Sequence, residues 1–223
     1  MDSGYYAACT ALKTQSSALE LIANNVANIN TTGYRAQLPS FESMLVEGRN
    51  STPSNGWSRL VNHFAVLDGA RIDLTEGNLQ RTGNPLDLAL DGPGFFAVQT
   101  KAGVLYTRDG NFRLSAKGQL ITASGDAVLG TDGPLNVPGN AQIAIGPDGT
   151  VSLAGAVTAK LRLVEFPPAA QLTAVGGQYY SAPATAATPA VHTSIQAGML
   201  ESSNVNPVAA VVALITRSGK RRW

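Results

Sequence analysis

Charged side chains are scarce in this 223-residue chain, at 14% of residues, and they nearly cancel to a net charge of +1. A near-neutral chain has no general electrostatic field for nucleic acid or an anionic membrane. Cysteine is also scarce: Cys9 stands alone, so no disulfide can form within the chain. A lone cysteine fits a cytosolic fold, and equally a secreted protein that does without bridges.

Long apolar runs are missing as well. No stretch approaches the roughly 20 residues of a membrane-spanning helix, so we expect no membrane insertion. The N-terminus lacks the basic start and apolar stretch of a secretory signal peptide, so export would need another route.

Residue patterns that carry chemistry are absent too. His63 and His192 have no metal-ligand spacing, and no nucleophile motif surrounds a serine. The stretch 91–94 lacks the Lys-Ser/Thr ending of a phosphate loop. We therefore expect no enzyme activity, no cofactor and no small-molecule substrate.

The first pattern that is present is an amphipathic N-terminal helix. Apolar or small residues recur in steps of three and four, with one polar member, as in a heptad seam: Tyr5, Ala8, Leu12, Gln15, Leu19, Ile22, Val26 and Ile29. The helix is predicted to end near Asn28, and Gly33 is predicted to take a left-handed backbone conformation.

A second helix is predicted near the C-terminus. Asn206 is a candidate cap, and Pro207 suits the first helical position. An apolar stripe follows: Val208, Val211, Val212 and Ile215. The stripe stops before Arg217, and we expect the basic tail 220–223 to be a frayed terminus.

Between the helices the sequence reads as β structure. Leu86, Leu88 and Leu90 alternate with polar or small residues, which places three leucines on one strand face. Asp109-Gly110 between two apolar runs predicts a hairpin. Further turn signals follow about every ten residues. The pattern is typical of an antiparallel β domain.

The predicted fold is mainly β with terminal α-helices: an antiparallel β domain inserted between N- and C-terminal coiled-coil-like helices. The expected segments are an N-terminal helix in 1–36, an extended linker with weak strands in 37–81, the β domain in 82–198 and a C-terminal helix in 199–223. Isolated helices of this length are marginal in water. Other subunits are therefore the natural partners of both helices.

Several stretches resemble one known family. The string ANNVANINTTGY at 23–34 is similar to the signature of the flagellar rod and hook family. Residues 82–98, 106–112, 125–130 and 204–208 resemble that family's other motifs, in its order. Within the family, Met1-Asp2, the stretch 31–36 and the short length most resemble the proximal-rod branch, then the distal-rod branch, and then the hook branch.

The resemblance implies a structural subunit of the flagellar basal-body rod that supports motility. It implies export by the flagellar type III apparatus and self-assembly with other axial rod proteins, with both terminal helices in the inner core. Family members continue the C-terminal helix further than this chain does. We therefore expect the segment 199–223 to be truncated and assembly to be weakened.

The expected assembly interface lies on the two helices and their flanks. Its residues are Leu12, Leu19, Ile22, Asn24, Asn25, Val26, Asn28, Ile29, Gly33, Tyr34, Asn204, Asn206, Pro207, Val208, Val211, Val212 and Ile215. The helix-end asparagines could make hydrogen bonds between subunits, or could end the helix and face water. A secreted β-rich binding or adhesion module is the competing hypothesis, although a monomeric module has no need of two apolar helices.

Overall fold

A computed structural model describes residues 2–45, 63–137, 143–153, 155–167, 170 and 172–219. They divide into two compact units. The helical unit holds the described residues of 1–27, 37–71 and 206–223, and the β unit holds those of 28–36 and 72–205. Part of the predicted linker, 46–62, and the basic tail 220–223 lie outside the described residues.

The helical unit contains α1 (Asp2–Ala27), β1 (Gln37–Leu45), most of β2 (His63–Ile72) and α2 (Pro207–Gly219). Helix α1 packs against both α2 and β1, and β1 pairs with β2. The predicted cap of α2 is confirmed, because the Ala209 amide donates a 3.0 Å hydrogen bond to the Asn206 side-chain oxygen. The helix runs on to Gly219, four residues beyond Ile215.

The β unit consists of many short strands, as the turn signals predict. In chain order they are β3 (Leu79–Arg81), β4 (Leu88–Asp91), β5 (Phe95–Thr100), β6 (Gly103–Thr107), β7 (Phe112–Leu114), β8 (Leu120–Thr122), β9 (Ala127–Gly130), β10 (Gly133–Pro134), β11 (Ile143–Ile145), β12 (Thr150–Leu153), β13 (Ala156–Lys160), β14 (Leu163–Glu165), β15 (Thr173–Val175), β16 (Tyr179–Ser181), β17 (Thr188–Pro189), β18 (Ser194–Ala197) and β19 (Met199–Glu201). A 3₁₀ turn at Ala184–Ala186 precedes β17. The prediction of a mainly β chain with a helix near each end is confirmed.

The largest sheet is antiparallel, with strand order β15-β16-β6-β5-β9-β8-β7. Strand β10 pairs with β9, and β14 pairs with β5 and β17. Strand β5 lies between two apolar clusters. Phe96 and Val98 belong to one cluster, and Phe95 and Ala97 belong to the other. Because successive side chains of a strand point to opposite faces, burial of both faces accounts for the continuous apolar run at this strand.

Smaller antiparallel sheets complete the unit: β11-β12-β13, β4 with β18, and β3 with β19. Leu88 and Leu90 are buried in the same cluster as Phe96, and Leu86 packs against it. The predicted leucine face is therefore confirmed. The unit reaches beyond 82–198, since it takes in 28–36 and 72–205.

The predicted hairpin at Asp109-Gly110 is wrong. Within the described residues β6 pairs with β5 and β16, whereas β7 pairs with β8. Gly110 instead lies against β4, where its carbonyl accepts a 3.0 Å hydrogen bond from the Leu88 amide. A Cβ at Gly110 would lie 1.6 Å from the Leu88 carbonyl oxygen. The glycine is thus required by a close approach of two backbones rather than by a two-residue turn.

Candidate assembly surface and a buried ionic cluster

The apolar stripe of α2 is exposed in the single chain. Val208 is 72% exposed and Val212 is 55% exposed, and Val211 and Ile215 are exposed as well. Up to Thr216, where the description of burial ends, the half-buried residues of this helix are Ala210, Ala213 and Leu214. Asn206 and Pro207, at its start, are also exposed. The apolar residues singled out by their spacing therefore form a solvent-facing surface, which would gain roughly 1.5–3 kcal/mol for each side chain fully covered by a partner.

The predicted seam of α1 changes in exposure along the helix. Leu12 is 64% exposed, Leu19 and Val26 are half-buried, and Ile22 is buried. Asn24 is exposed, and Ile29, beyond the helix, is half-buried. The side chains of Tyr5 and Ala8 lie outside the described part. Among the seam residues whose burial is described, Leu12 is thus the one most open to a partner.

Asn25 closes the turn from α1 into β1. Its side-chain amide donates to the Gln37 carbonyl at 2.8 Å, and its oxygen accepts from the Gln37 amide at 2.9 Å. The residue is buried. Asn25 therefore imitates one step of a strand pairing within the helical unit.

The segment that follows α1, residues 28–36, belongs to the β unit. Asn28, half-buried, accepts a 3.1 Å hydrogen bond from the Thr31 hydroxyl. Gly33 has φ 66°, which confirms the predicted left-handed conformation. A Cβ there would lie 2.3 Å from the Arg108 carbonyl carbon, so the segment approaches the end of β6 more closely than any side chain permits.

Two further contacts fix this segment. The Thr32 hydroxyl donates to the Asp109 carboxylate at 2.7 Å. Burial raises the pKa of Asp109, although this hydrogen bond acts to lower it. The Ala36 amide donates to the Asn204 side-chain oxygen at 2.7 Å. The Asn204 side-chain amide in turn donates to the Thr75 carbonyl at 2.9 Å. Asn204, predicted for the assembly surface, is therefore engaged within the β unit.

An ionic cluster lies in the interior of the same unit. One carboxylate oxygen of Glu201 forms an ion pair with Arg35 Nη1 at 2.7 Å, and the other accepts a hydrogen bond from Arg108 Nη1 at 3.3 Å. All three side chains are 1% exposed. The Gly77 amide also donates to Glu201, at 2.7 Å, and the Arg108 guanidinium carbon lies 5.1 Å from the centre of the Phe95 ring.

The cluster has more positive charge than its carboxylate neutralises. Burial, and then repulsion from Arg35, lower the pKa of Arg108 to about 10, although Glu201 opposes the shift. Arg35 Nε and Nη2 and Arg108 Nε are buried without a hydrogen-bond partner. Nearby, the Tyr180 hydroxyl accepts from the Arg35 backbone amide at 3.0 Å, and burial raises the pKa of Tyr180 to about 12. Burial also raises the pKa of Tyr34, which is 1% exposed.

Two groups stand out among the predicted assembly residues. Leu12 and the α2 stripe face solvent, whereas Asn25, Gly33, Tyr34 and Asn204 hold the chain internally. The sequence reasoning missed the three charged residues of the cluster. A usable signal existed for Arg35, which directly follows the family-like string in a chain with few charges.

No metal or membrane feature stands out in the described part of the chain. Among those residues no group of three or more His, Cys, Asp or Glu could hold a metal ion. His192 is 82% exposed and lies 3.6 Å from the Glu165 carboxylate. Neither described helix is long and apolar enough to cross a membrane.

Two models of known protein families match this chain. A family model described as "Flagella basal body rod protein" matches residues 6–35, and one described as "Flagellar hook protein FlgE/F/G D1 domain" matches residues 89–153. The chain is 33% identical to a flagellar basal-body rod protein FlgF from Caulobacter vibrioides, with 96% of this chain and 87% of the relative covered.

Two more relatives extend the comparison. An FlgF from Escherichia coli is 36% identical, with 96% of this chain and 88% of the relative covered. An FlgG, also a flagellar basal-body rod protein, from Agrobacterium fabrum is 32% identical, with 94% of this chain and 87% of the relative covered. The sequence identity, together with the large share of both this chain and each relative that is covered, is enough to assign the family. The chain belongs to the flagellar basal-body rod proteins.

Proposed function

We propose that this chain is a rod subunit of the FlgF type, which the flagellar type III apparatus exports and which polymerises through its terminal helices. The family is a structural component of the flagellar basal body, not a family of enzymes. The observation that carries the proposal is the near-complete coverage by rod proteins, from the α1 signature to the C-terminal helix.

The surface proposed for assembly is the solvent-facing stripe of α2 together with Leu12 of α1. Four apolar α2 residues are exposed within two helical turns: Val208, Val211, Val212 and Ile215. Leu12 adds an exposed apolar residue on α1. Such a stripe suits coiled-coil-like packing against helices of neighbouring rod subunits. The β unit would then supply lateral contacts and stiffness.

The nearest alternative is the distal-rod role, because relatives named FlgG match almost as well as those named FlgF. The two roles differ in which missing rod protein the chain can replace. We expect it to restore swimming in an Escherichia coli strain that lacks FlgF, and not in one that lacks FlgG. The reverse pattern would assign the chain to the distal rod.

The assembly surface is tested by a charge on the stripe. Val212→Asp would bury an unpaired carboxylate in any helix–helix interface, which is strongly unfavourable. We expect this variant to be made and exported but to leave the FlgF-deficient strain non-motile, with no basal-body rod recovered.

The matched control is Val212→Leu, which keeps an apolar side chain at the same position. Swimming by the leucine variant and not by the aspartate variant is the expected result. Normal swimming by both would show that the α2 stripe is not an assembly surface. If the chain were instead a β-rich adhesion module, motility would be restored by neither variant, nor by the chain without a substitution.

A further inference from the structure

Two segments of the β unit that are far apart in the sequence run beside each other. Residues 28–36 follow α1 in the chain, and residues 201–205 precede α2. The Gly33 amide donates to the Glu201 carbonyl at 2.8 Å, and the Asn204 amide donates to the Tyr34 carbonyl at 3.3 Å. Backbone hydrogen bonds therefore join the segment by which the chain first enters the β unit to the segment by which it finally leaves. We call these the entering segment (28–36) and the leaving segment (201–205).

The Arg35–Glu201–Arg108 cluster holds the same two segments through their side chains. Arg35 comes from the entering segment, Glu201 from the leaving segment, and Arg108 from the end of β6. One buried carboxylate thus faces two buried guanidinium groups, which gives the three side chains a formal charge of +1. Removing one partner of a buried ionic group leaves an uncompensated charge, which is far more disruptive than loss of a surface pair.

We propose that Glu201 is a charge latch: its carboxylate holds Arg35 and Arg108 together, so that the entering and leaving segments open and close as one unit. This proposal does not depend on the proposed assembly, because the latch acts within the unassembled chain. Local openings of this kind are cooperative units within a folded protein. Without the carboxylate, the two guanidinium groups repel each other at the junction of both segments.

Amide hydrogen exchange on the full-length chain tests the latch. Glu201→Gln keeps the shape and an oxygen that can still accept from the Gly77 amide, but it removes the negative charge. We expect exchange at the Gly33, Ala36 and Asn204 amides to accelerate together by roughly 100-fold or more. The Val98 and Val128 amides, in paired strands of the main sheet, should be unchanged.

A second substitution separates charge from packing. Arg35→Met added to Glu201→Gln leaves Arg108 as the one charge of the cluster, so a latch based on charge predicts slower exchange than in the single Gln variant. A purely steric role predicts faster exchange, because a second contact is lost. Asp148→Asn, which removes the exposed pair with Lys160, is the control and should change exchange at these amides less than about threefold.

Four outcomes would overturn the latch. They are unchanged exchange in Glu201→Gln, acceleration in one segment only, acceleration at Val98 equal to that at Gly33, or faster exchange in the double variant than in Glu201→Gln. Acceleration in both segments, partly reversed by Arg35→Met, would support it. Because the measurement needs no rod, failure of the proposed assembly would leave this result unaffected.

Discussion

Apolar side chains are buried in the β unit but exposed on one helix of the helical unit. In the β unit Leu88, Phe96 and Val98 are completely buried, whereas on α2 of the helical unit Val208 is 72% exposed and Val212 is 55% exposed. Burying a side chain of this size is worth roughly 1.5–3 kcal/mol. In the β unit this stabilisation is gained within a single chain. The side chains of the α2 stripe, which stay exposed, do not gain it there. The two units therefore differ in how far their apolar side chains are buried within a single chain.

The largest expected effect is a cavity in the β unit. The ring of Phe96 is fully buried and meets the ring of Phe112 edge to face, with centroids 5.0 Å apart. Phe96→Ala should lower the free energy of unfolding by about 3–5 kcal/mol, as measured by urea denaturation. The control is Val157→Ala, because Val157 is 74% exposed; it should cost less than about 0.5 kcal/mol. Similar losses from both variants would contradict the assignment of the core.

The next effect tests the close approach at the turn after α1. Gly33→Ala combines a left-handed conformation with a Cβ that would lie 2.3 Å from the backbone of Arg108. Gly83→Ala has a similar φ of 78°, with nothing within 4 Å of its Cβ. The left-handed conformation alone costs roughly 1–2 kcal/mol, so Gly83→Ala should lose about that much stability and Gly33→Ala clearly more. Equal losses in thermal unfolding would mean that the contact with Arg108 relaxes freely.

A smaller, local effect concerns the loop that precedes β18. The Glu165 carboxylate accepts from the Val191 amide at 3.0 Å and from the His192 amide and the Thr193 hydroxyl at 2.8 Å. Burial alone would raise the pKa of Glu165, but these hydrogen bonds outweigh it and hold the pKa below the ordinary value of 4.5. A lowered pKa in the folded state means that this stabilisation is complete above pH 4.5 and is lost as the pH falls through the folded value.

We therefore expect the Val191 and His192 amides to stay protected at pH 5 and to lose protection only in more acidic solution, as followed by NMR-detected hydrogen exchange. Glu165→Gln has no carboxylate to titrate and should show no such transition in this loop. A transition above pH 4.5 in the unchanged chain would contradict the direction of the shift.

Local patterns predicted the elements well, and tertiary contacts decided the rest. The Asn206 cap and the leucine face of β4 follow from spacing alone, because both depend on neighbours along the chain. Asp109-Gly110 carries a strong turn signal, yet the fold uses its glycine to pass close to the Leu88 carbonyl. The pairing of Arg35 with Glu201 was not predictable, since the two residues are far apart in sequence and no periodicity links them.

The smallest expected effect on stability is that of a charge on the exposed stripe of α2, and it tests directly whether the two units differ in burial. Val212→Asp places a charge on an exposed position of α2, so in the unassembled chain the free energy of unfolding should change by no more than about 0.5 kcal/mol. Leu214→Asp, at a half-buried position of the same helix, should cost clearly more, because there the carboxylate loses water. Urea denaturation of the two variants, followed by helical circular dichroism, separates these outcomes. A loss at Val212 as large as that at Leu214 would mean that the stripe already packs within the single chain, and the α2 surface would then resemble the core of the β unit rather than contrast with it.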